Sequence, residues 1–304
     1  MSTKQGKFNF RKKIKSLPKR WRRRILSMSF LLPSMVGVGL FFIIPFGVVG
    51  YFSMVDSPFN PSFAGFSNYA RLLENSAFLN AAKNTAVFAL TAVPLAVILS
   101  LLMAIILEQN IPLRSTFRTF FLTPLMVPTA SIVLIWQVFF HINGSINEML
   151  LALGYDKIDW FKSSASYFVI QILFLWKNLG YNMILFMAAL NDIPTELLEV
   201  ADLDGAGAWQ KFWSIKIRYL SPTILFVALM SLVNSFKVFR EVYLLTGDYP
   251  YDTLYMLQHF MNNTFKSLDY QKLSAAAVIM FLVMMVIIWF LFFFEDRFGK
   301  DLEG

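Results

Sequence analysis

The sequence predicts an all-α membrane protein with six transmembrane helices and a cytoplasmic helix-turn-helix element between the fourth and fifth. Of its 304 residues, 57% are hydrophobic and only 15% are charged, an apolar excess larger than one water-soluble core holds. A helix that crosses a bilayer needs about 20 mainly apolar residues, because lipid offers the backbone no hydrogen-bond partners. Six segments meet this requirement, and short loops join them.

The six predicted spans differ in their polar content. They cover residues 28–54, 84–107, 120–140, 165–190, 219–245 and 273–294. The first is about twice as long as the ~7–15-residue core of a cleaved signal peptide, so we expect it to be retained. We expect Pro33 and Pro45 to bend it, and the third span carries Pro124 and Pro128. The fourth contains one charge, Lys177, and the sixth contains none.

The distribution of Lys and Arg predicts the orientation, because basic residues near span ends resist transfer across the membrane. With the amino terminus inside, the inner segments 1–25, 108–118, 191–218 and 295–304 hold 18 basic residues, whereas the three outer loops hold six. We therefore expect both termini to be cytoplasmic. The predicted organisation is a basic segment at 1–27, one transmembrane domain at 28–295 and a cytoplasmic tail at 296–304.

Composition excludes several kinds of chemistry. The chain has no cysteine and two histidines, so no catalytic residue and no metal ligand is predicted. Eleven of the 27 basic residues lie in the first 24 positions, which indicates a cytoplasmic anchor rather than a nucleic-acid arm. No glycine-rich phosphate-binding loop occurs, so any ATP hydrolysis belongs to another chain.

The segment between the fourth and fifth spans, residues 191–218, is amphipathic and rich in acids. Pro194 ends the fourth span, Thr195 can cap a new helix, and Asp204-Gly205 supplies a turn. A second short helix is predicted before Pro222, which marks entry into the fifth span. Its aromatic cluster at 209–213 exposes apolar surface unless a partner covers it. The alternative is a solvated connecting loop.

This segment resembles the signature of permease subunits in binding-protein-dependent ABC importers. Glu199-Val200-Ala201, three residues, Gly205, nine residues and then Ile215 and Ile217 follow the Glu-Ala-Ala, x3, Gly, x9, Ile-x-Leu-Pro pattern. Val200 replaces the first alanine, and Arg218 replaces the proline. Further stretches within 32–294, including 65–69 and 235–247, are similar to carbohydrate-importer permeases, in particular the larger-type subunit of maltose and multiple-sugar importers.

The resemblance implies a transport role without catalysis. This chain and a second permease subunit would form the path for a sugar or oligosaccharide that an extracellular binding protein delivers. Two ATPase subunits would bind ATP and Mg²⁺, so this chain needs no cofactor, and it would lie in the lipid of the bacterial cell membrane without contacting nucleic acid. The residues expected to couple it to the ATPase are Glu196, Glu199, Ala201, Asp204, Gly205, Ala206 and Ile215.

Polar residues inside the spans predict a substrate path. A lysine at the centre of a span costs about 2.5–3.5 kcal/mol, so Lys177 should face the bundle, with neighbours one helical turn apart on the same stripe. Lys237 and Glu241 are four residues apart and can neutralise each other, near the outer end of the fifth span. The candidates are Trp176, Lys177, Asn178, Tyr181, Asn182, Asn234, Lys237 and Glu241. The alternative is hydrogen bonding between helices without substrate contact.

Three other functions compete with this interpretation. An ABC permease for peptides or amino acids is the closest, and only the resemblance argues against it. An ion-coupled secondary transporter needs a deep carboxylate, whereas Glu241 is expected near a span end. A membrane enzyme needs grouped acid-base residues, and the outer acids are scattered singly.

Overall fold

The computed structural model describes residues 19–57, 60–109 and 111–299. Most of the predicted basic segment (1–27) and of the carboxy-terminal tail (296–304) lies outside the described residues. Within the described part the chain is helical, and its only extended pairing is an isolated bridge between Val55 and Phe63. The predicted all-α class is therefore confirmed.

The helices follow one another with short connections. In chain order they are α1 (Lys19–Val38), α2 (Ile44–Phe52), α3 (Ser67–Leu73), α4 (Ser76–Glu108), α5 (Arg114–Met126), α6 (Thr129–Phe139), α7 (Ser145–Ala152), α8 (Ser166–Asn191), α9 (Thr195–Leu203), α10 (Ala208–Lys211), α11 (Ile217–Lys237), α12 (Phe239–Thr246), α13 (Leu257–Lys266) and α14 (Tyr270–Gly299). Single π-turns, Gly39–Ile43 and Phe212–Lys216, join α1 to α2 and α10 to α11 without a break.

Five helical segments of the described chain are long and apolar enough to cross a membrane, and a sixth is broken. The broken one consists of α5 and α6, which meet at an angle of 102°. The break lies at Val127, which is extended, and Pro128, which has no N–H to continue a helix. The six predicted spans are thus five continuous spans and one bent pair.

Helix α8 lies at the centre of the bundle and packs against α4, α5 and α11. The side of α4 that is buried has mostly small residues at every fourth position, which lets helices approach closely: Phe88, Ala92, Ala96, Ser100 and Ala104. Gly180 of α8 lies against the backbone of α5, and a Cβ atom there would be 1.9 Å from the carbonyl oxygen of Phe121. Small residues on α4 and Gly180 on α8 therefore let α8 pack closely against α4 and α5.

The second helix of the predicted helix-turn-helix is not a separate short helix, and this part of the prediction is wrong. From Ala208 the chain is helical through α10, the π-turn and α11, so Pro222 lies inside the fifth span rather than at its entrance. The aromatic residues that begin at Trp209 extend the apolar helix to the amino-terminal side of Pro222. Pro222 removes one backbone donor, but the helix continues through it.

The only buried histidine of the described residues, His259, lies in α13, between the fifth and sixth spans. Its Nδ1 accepts a hydrogen bond from the Met256 N–H at 3.3 Å, and its ring is 4.6 Å from that of Phe239. Burial lowers the pKa of His259 from 6.5 to about 4, and the charge of Asp248 opposes this shift only partly. The side chain is therefore neutral at pH 7.

Acidification should weaken the folded state through His259. Since the folded pKa is lower than the unfolded one, the unfolded chain binds the proton first, and stability is lost as the pH falls from 6.5 towards 4. Between pH 7 and 5 we expect a loss of about 2 kcal/mol, measured as a lower Tm of the detergent-solubilised protein. His259→Gln should reduce this pH dependence, whereas His141→Gln should retain it. Equal pH dependence in both variants would contradict the assignment.

Candidate functional site

A cavity of ≈ 330 Å³ lies where three elements meet: the break between α5 and α6, the middle of α8, and the junction of α11 and α12 at Val238. The break between α5 and α6 interrupts the third span, and an interrupted helix exposes backbone and polar groups that only a protein-lined cavity tolerates at membrane depth. Its polar lining consists of Thr129, Lys177, Asn178, Asn234, Lys237, Arg240 and Glu241.

An ion pair between Lys177 and Glu241 forms one wall of the cavity. The Lys177 ammonium also donates to Thr129 Oγ1 at 3.4 Å, which ties α8 to the start of α6. The Glu241 side chain is 9% exposed and that of Lys177 is 23% exposed, so both are largely removed from solvent. Because Lys177 lies near the middle of α8, its partner Glu241 lies at the same depth.

One expectation about Glu241 is therefore wrong, because it pairs with Lys177 and not with Lys237. Val238 alone separates α11 from α12 and keeps helical dihedral angles, so Lys237 and Glu241 remain four residues apart on one continuous span. Glu241 nevertheless bonds Lys177, which approaches it from α8.

Two amides line the cavity beside the ion pair. Asn234 Nδ2 donates to Asn178 Oδ1 at 2.8 Å, and Asn178 Nδ2 donates to the carbonyl of Phe174 at 2.7 Å. The oxygen of Asn234 accepts no hydrogen bond from the described residues. This pair joins α8 to α11, and the side-chain oxygen of Asn234 stays available to accept a hydrogen bond from a hydroxyl group.

The structure brings five of the eight predicted path residues to the cavity: Lys177, Asn178, Asn234, Lys237 and Glu241. The other three do not line it. Asn182 is buried and donates to Ser231 Oγ at 3.0 Å, Trp176 packs 6.4 Å from the ring of Trp136, and Tyr181 is half-buried. For Asn182, hydrogen bonding between helices is the role that the structure supports.

Sequence reasoning left Thr129 and Arg240 out of the path. A threonine directly after a proline break has no distinctive signal. Arg240, in contrast, stands inside an apolar span, and its charge alone could have identified it.

The segment between the fourth and fifth spans consists of α9, a tight turn and the start of α10. Gly205 adopts a φ of 77°, and the N–H of Ala206 donates to the carbonyl of Ala201 at 2.8 Å. This is the left-handed ending that glycine favours after a helix. Among the predicted coupling residues, Glu196, Glu199, Asp204 and Gly205 are exposed, and Ala201 and Ala206 are half-buried.

The exposed surface of this segment presents apolar side chains next to its acidic residues. Leu203 is 88% exposed and Trp209 is 74% exposed. In contrast, Ile215 packs against the core around Leu220. The segment thus has one face attached to the bundle and one face that none of the described residues covers.

A salt bridge attaches the same segment to the second span. Lys216 Nζ lies 2.8 Å from Glu108 Oε2 and 3.1 Å from Oε1, at the carboxyl end of α4. A second bridge, Lys211 to Asp202 at 2.5 Å, spans the Gly205 turn. Movement of α9 would therefore be passed to α4 and α11.

No three His, Asp or Glu side chains gather into a metal-binding group anywhere in the described ranges.

Comparison with known proteins yields consistent matches. The family described as "Binding-protein-dependent transport system inner membrane component" matches residues 96–303. The sulfoquinovosyl glycerol transport system permease protein SmoG of Agrobacterium fabrum is 29% identical over 86% of this chain and 89% of its own. The trehalose/maltose transport system permease protein MalF of Thermococcus litoralis is 31% identical over 76% of this chain and 80% of its own.

A solved structure shares the fold. A chain of a bacterial ABC transporter involved in the import of the acidic polysaccharide alginate superposes with a TM-score of 0.78. The match covers 92% of this chain and 98% of that chain, at 22% sequence identity.

Proposed function

Because this chain belongs to the family of binding-protein-dependent transport system inner membrane components, we propose that it is a permease subunit of an ATP-driven importer for a sugar or oligosaccharide. The chain is a multi-pass membrane protein, and its family is one of transport permeases rather than enzymes. The names of SmoG and MalF, both saccharide permeases, support the substrate class.

The observation that carries the proposal is the polar cavity beside the break between α5 and α6. Sugars need paired donors and acceptors for their hydroxyl groups, and the cavity offers both beside the ring of Phe174. Discontinuous helices that meet at a polar cavity are the usual construction of transporter binding sites.

The proposed assembly has parts that this chain does not supply. An extracellular binding protein delivers the saccharide, a second permease completes the path, and two cytoplasmic ATPase subunits bind ATP and Mg²⁺. This chain then holds no cofactor, and both of its termini face the cytoplasm. The segment 191–218 faces the same side, where the uncovered Leu203 and Trp209 dock with an ATPase subunit.

The competing functions are weaker. Glu241 is a deep carboxylate of the kind that an ion-coupled transporter uses, but its pairing with Lys177 gives it a structural partner. The family argues for binding-protein dependence instead. An ABC permease for peptides or amino acids shares the family, and the saccharide permeases among the relatives favour sugars over it.

The proposal is tested by reconstitution. This chain is placed in liposomes alone and together with the second permease, ATPase and binding protein from its native membrane. We expect uptake of labelled oligosaccharide only in the complete assembly and only with ATP. Uptake by the isolated chain without nucleotide would overturn the proposal.

Gly205→Val should uncouple ATP hydrolysis from uptake. Valine disfavours the left-handed conformation at φ 77°, so α9 loses its ending and its docking geometry. We expect uptake per ATP to fall roughly fivefold or more, at unchanged levels of protein in the membrane. The matched control is Gly207→Val, since Gly207 has a φ of −69° and open space around it. Uptake per ATP equal to the wild type in Gly205→Val would contradict the docking role.

A further inference from the structure

We infer that the saccharide carries negative charge and that Lys237 and Arg240 select it. This inference rests on the proposed function and specifies the substrate class of the same cavity. The anionic group is a carboxylate, sulfonate or phosphate on the sugar, since all three present oxygens that a guanidinium or ammonium binds.

The first support is the small set of charged residues inside the predicted spans. Those six segments contain three basic residues and one acid: Lys177, Lys237, Arg240 and Glu241. All four line the same cavity. Charged residues are excluded from apolar spans unless they serve a path or a partner, so their collection at one place points to a ligand.

The second support is that the charges do not cancel. Glu241 pairs with Lys177, and this pair is largely buried. Neither Lys237 nor Arg240 has a carboxylate within ion-pairing distance in the part of the chain that the structure describes, and both side chains are exposed to the cavity. The lining therefore keeps an excess of two positive charges.

The third support is the geometry around the two cations. Lys237 and Arg240 lie on either side of Val238, and they also border a neighbouring groove of ≈ 500 Å³ lined by Phe239 and Tyr243. A saccharide can thus place an acidic group between the cations while its hydroxyl groups meet Asn234 and Thr129. A neutral sugar would leave both cations uncompensated when the path closes around it, which is costly in a medium of low dielectric constant.

The test uses the complete reconstituted importer and matched pairs of oligosaccharides. One pair is trigalacturonate and its fully methyl-esterified form, and further pairs are a glucuronate, a mannuronate and a phosphorylated oligosaccharide, each with its neutral counterpart. We expect an acidic member to stimulate ATPase activity and uptake at least about tenfold more than its neutral counterpart. The pair that responds identifies the anionic group.

The outcomes separate this inference from the proposed function. Equal stimulation by a neutral counterpart overturns the inference and leaves sugar import standing. A lack of stimulation by every saccharide, acidic or neutral, overturns both.

Substitutions assign the selection to the two cations. Arg240→Gln and Lys237→Gln should each lower uptake of the acidic oligosaccharide about tenfold without lowering that of the neutral form. Arg240→Lys, which keeps the positive charge, should retain part of the uptake of the acidic oligosaccharide. The control is Lys83→Gln, which removes the same charge from an exposed residue outside the cavity. Equal loss for acidic and neutral substrates in Arg240→Gln, or a carboxylate of the second permease on Arg240 in the assembled importer, would overturn the inference.

Discussion

Gly180→Ala is expected to disrupt the packing of α8 against α5 and to leave little folded protein in the membrane. The new Cβ would lie 1.9 Å from the carbonyl oxygen of Phe121 and 2.5 Å from its carbonyl carbon. Both are backbone atoms, so no change of rotamer relieves the overlap and one helix must shift. Overpacking of a core costs about 1–3 kcal/mol where side chains can adjust, and we expect the upper end of that range or more.

The effect is measured as the Tm of the detergent-purified protein and as the yield of monodisperse protein. We expect a fall in Tm of roughly 5 °C or more. Gly50→Ala is the matched control, because Gly50 is also a helical glycine but has no atom within 4 Å of the added Cβ. Alanine there removes a flexible residue from a helix and should be neutral or mildly stabilising. A wild-type Tm for Gly180→Ala would show that α5 does not approach α8 at this point.

The sequence predicts the number and placement of the spans well, because each is a local property of composition. The angle within the third span is different. Pro128 predicts an interruption, but the 102° bend also depends on how α5 lies on α8, where Gly180 meets Phe121. That contact joins residues far apart in the chain, and no local pattern specifies it.

The candidate site divides in the same way. The polar stripe that begins at Lys177 is visible because a charge in an apolar run has a high free-energy cost. Its partner is not visible, since Glu241 is 64 residues away and a closer candidate, Lys237, stands at helical spacing. Helical spacing shows which side chains can meet along one helix, but it does not show that Lys177 of α8 reaches the same carboxylate. Asn182 is the opposite case. It lies on the predicted helix, but its side chain bonds Ser231 and does not line the cavity.

The Lys177–Glu241 pair allows a test that separates folding from transport. Removing one partner leaves a charge uncompensated in the bundle, which costs about 3–5 kcal/mol, whereas replacing both by neutral residues costs far less. Lys177→Met should be the more damaging single change, because the Glu241 side chain left behind is 9% exposed, against 23% for Lys177. Glu241→Gln should be intermediate, and the double variant should unfold close to the wild-type temperature.

Thermal unfolding of the four proteins forms a double-mutant cycle, and we expect an interaction free energy of about 2–3 kcal/mol. Additive losses would contradict a direct pair. The same double variant then tests the cavity: its fold is restored, but the polar wall beside Asn178 and Asn234 is changed. If the cavity is the path, uptake by the complete importer stays low while Tm recovers. Recovery of both would make the ion pair a structural link between α8 and α12 and confine the substrate contacts to the remaining polar residues.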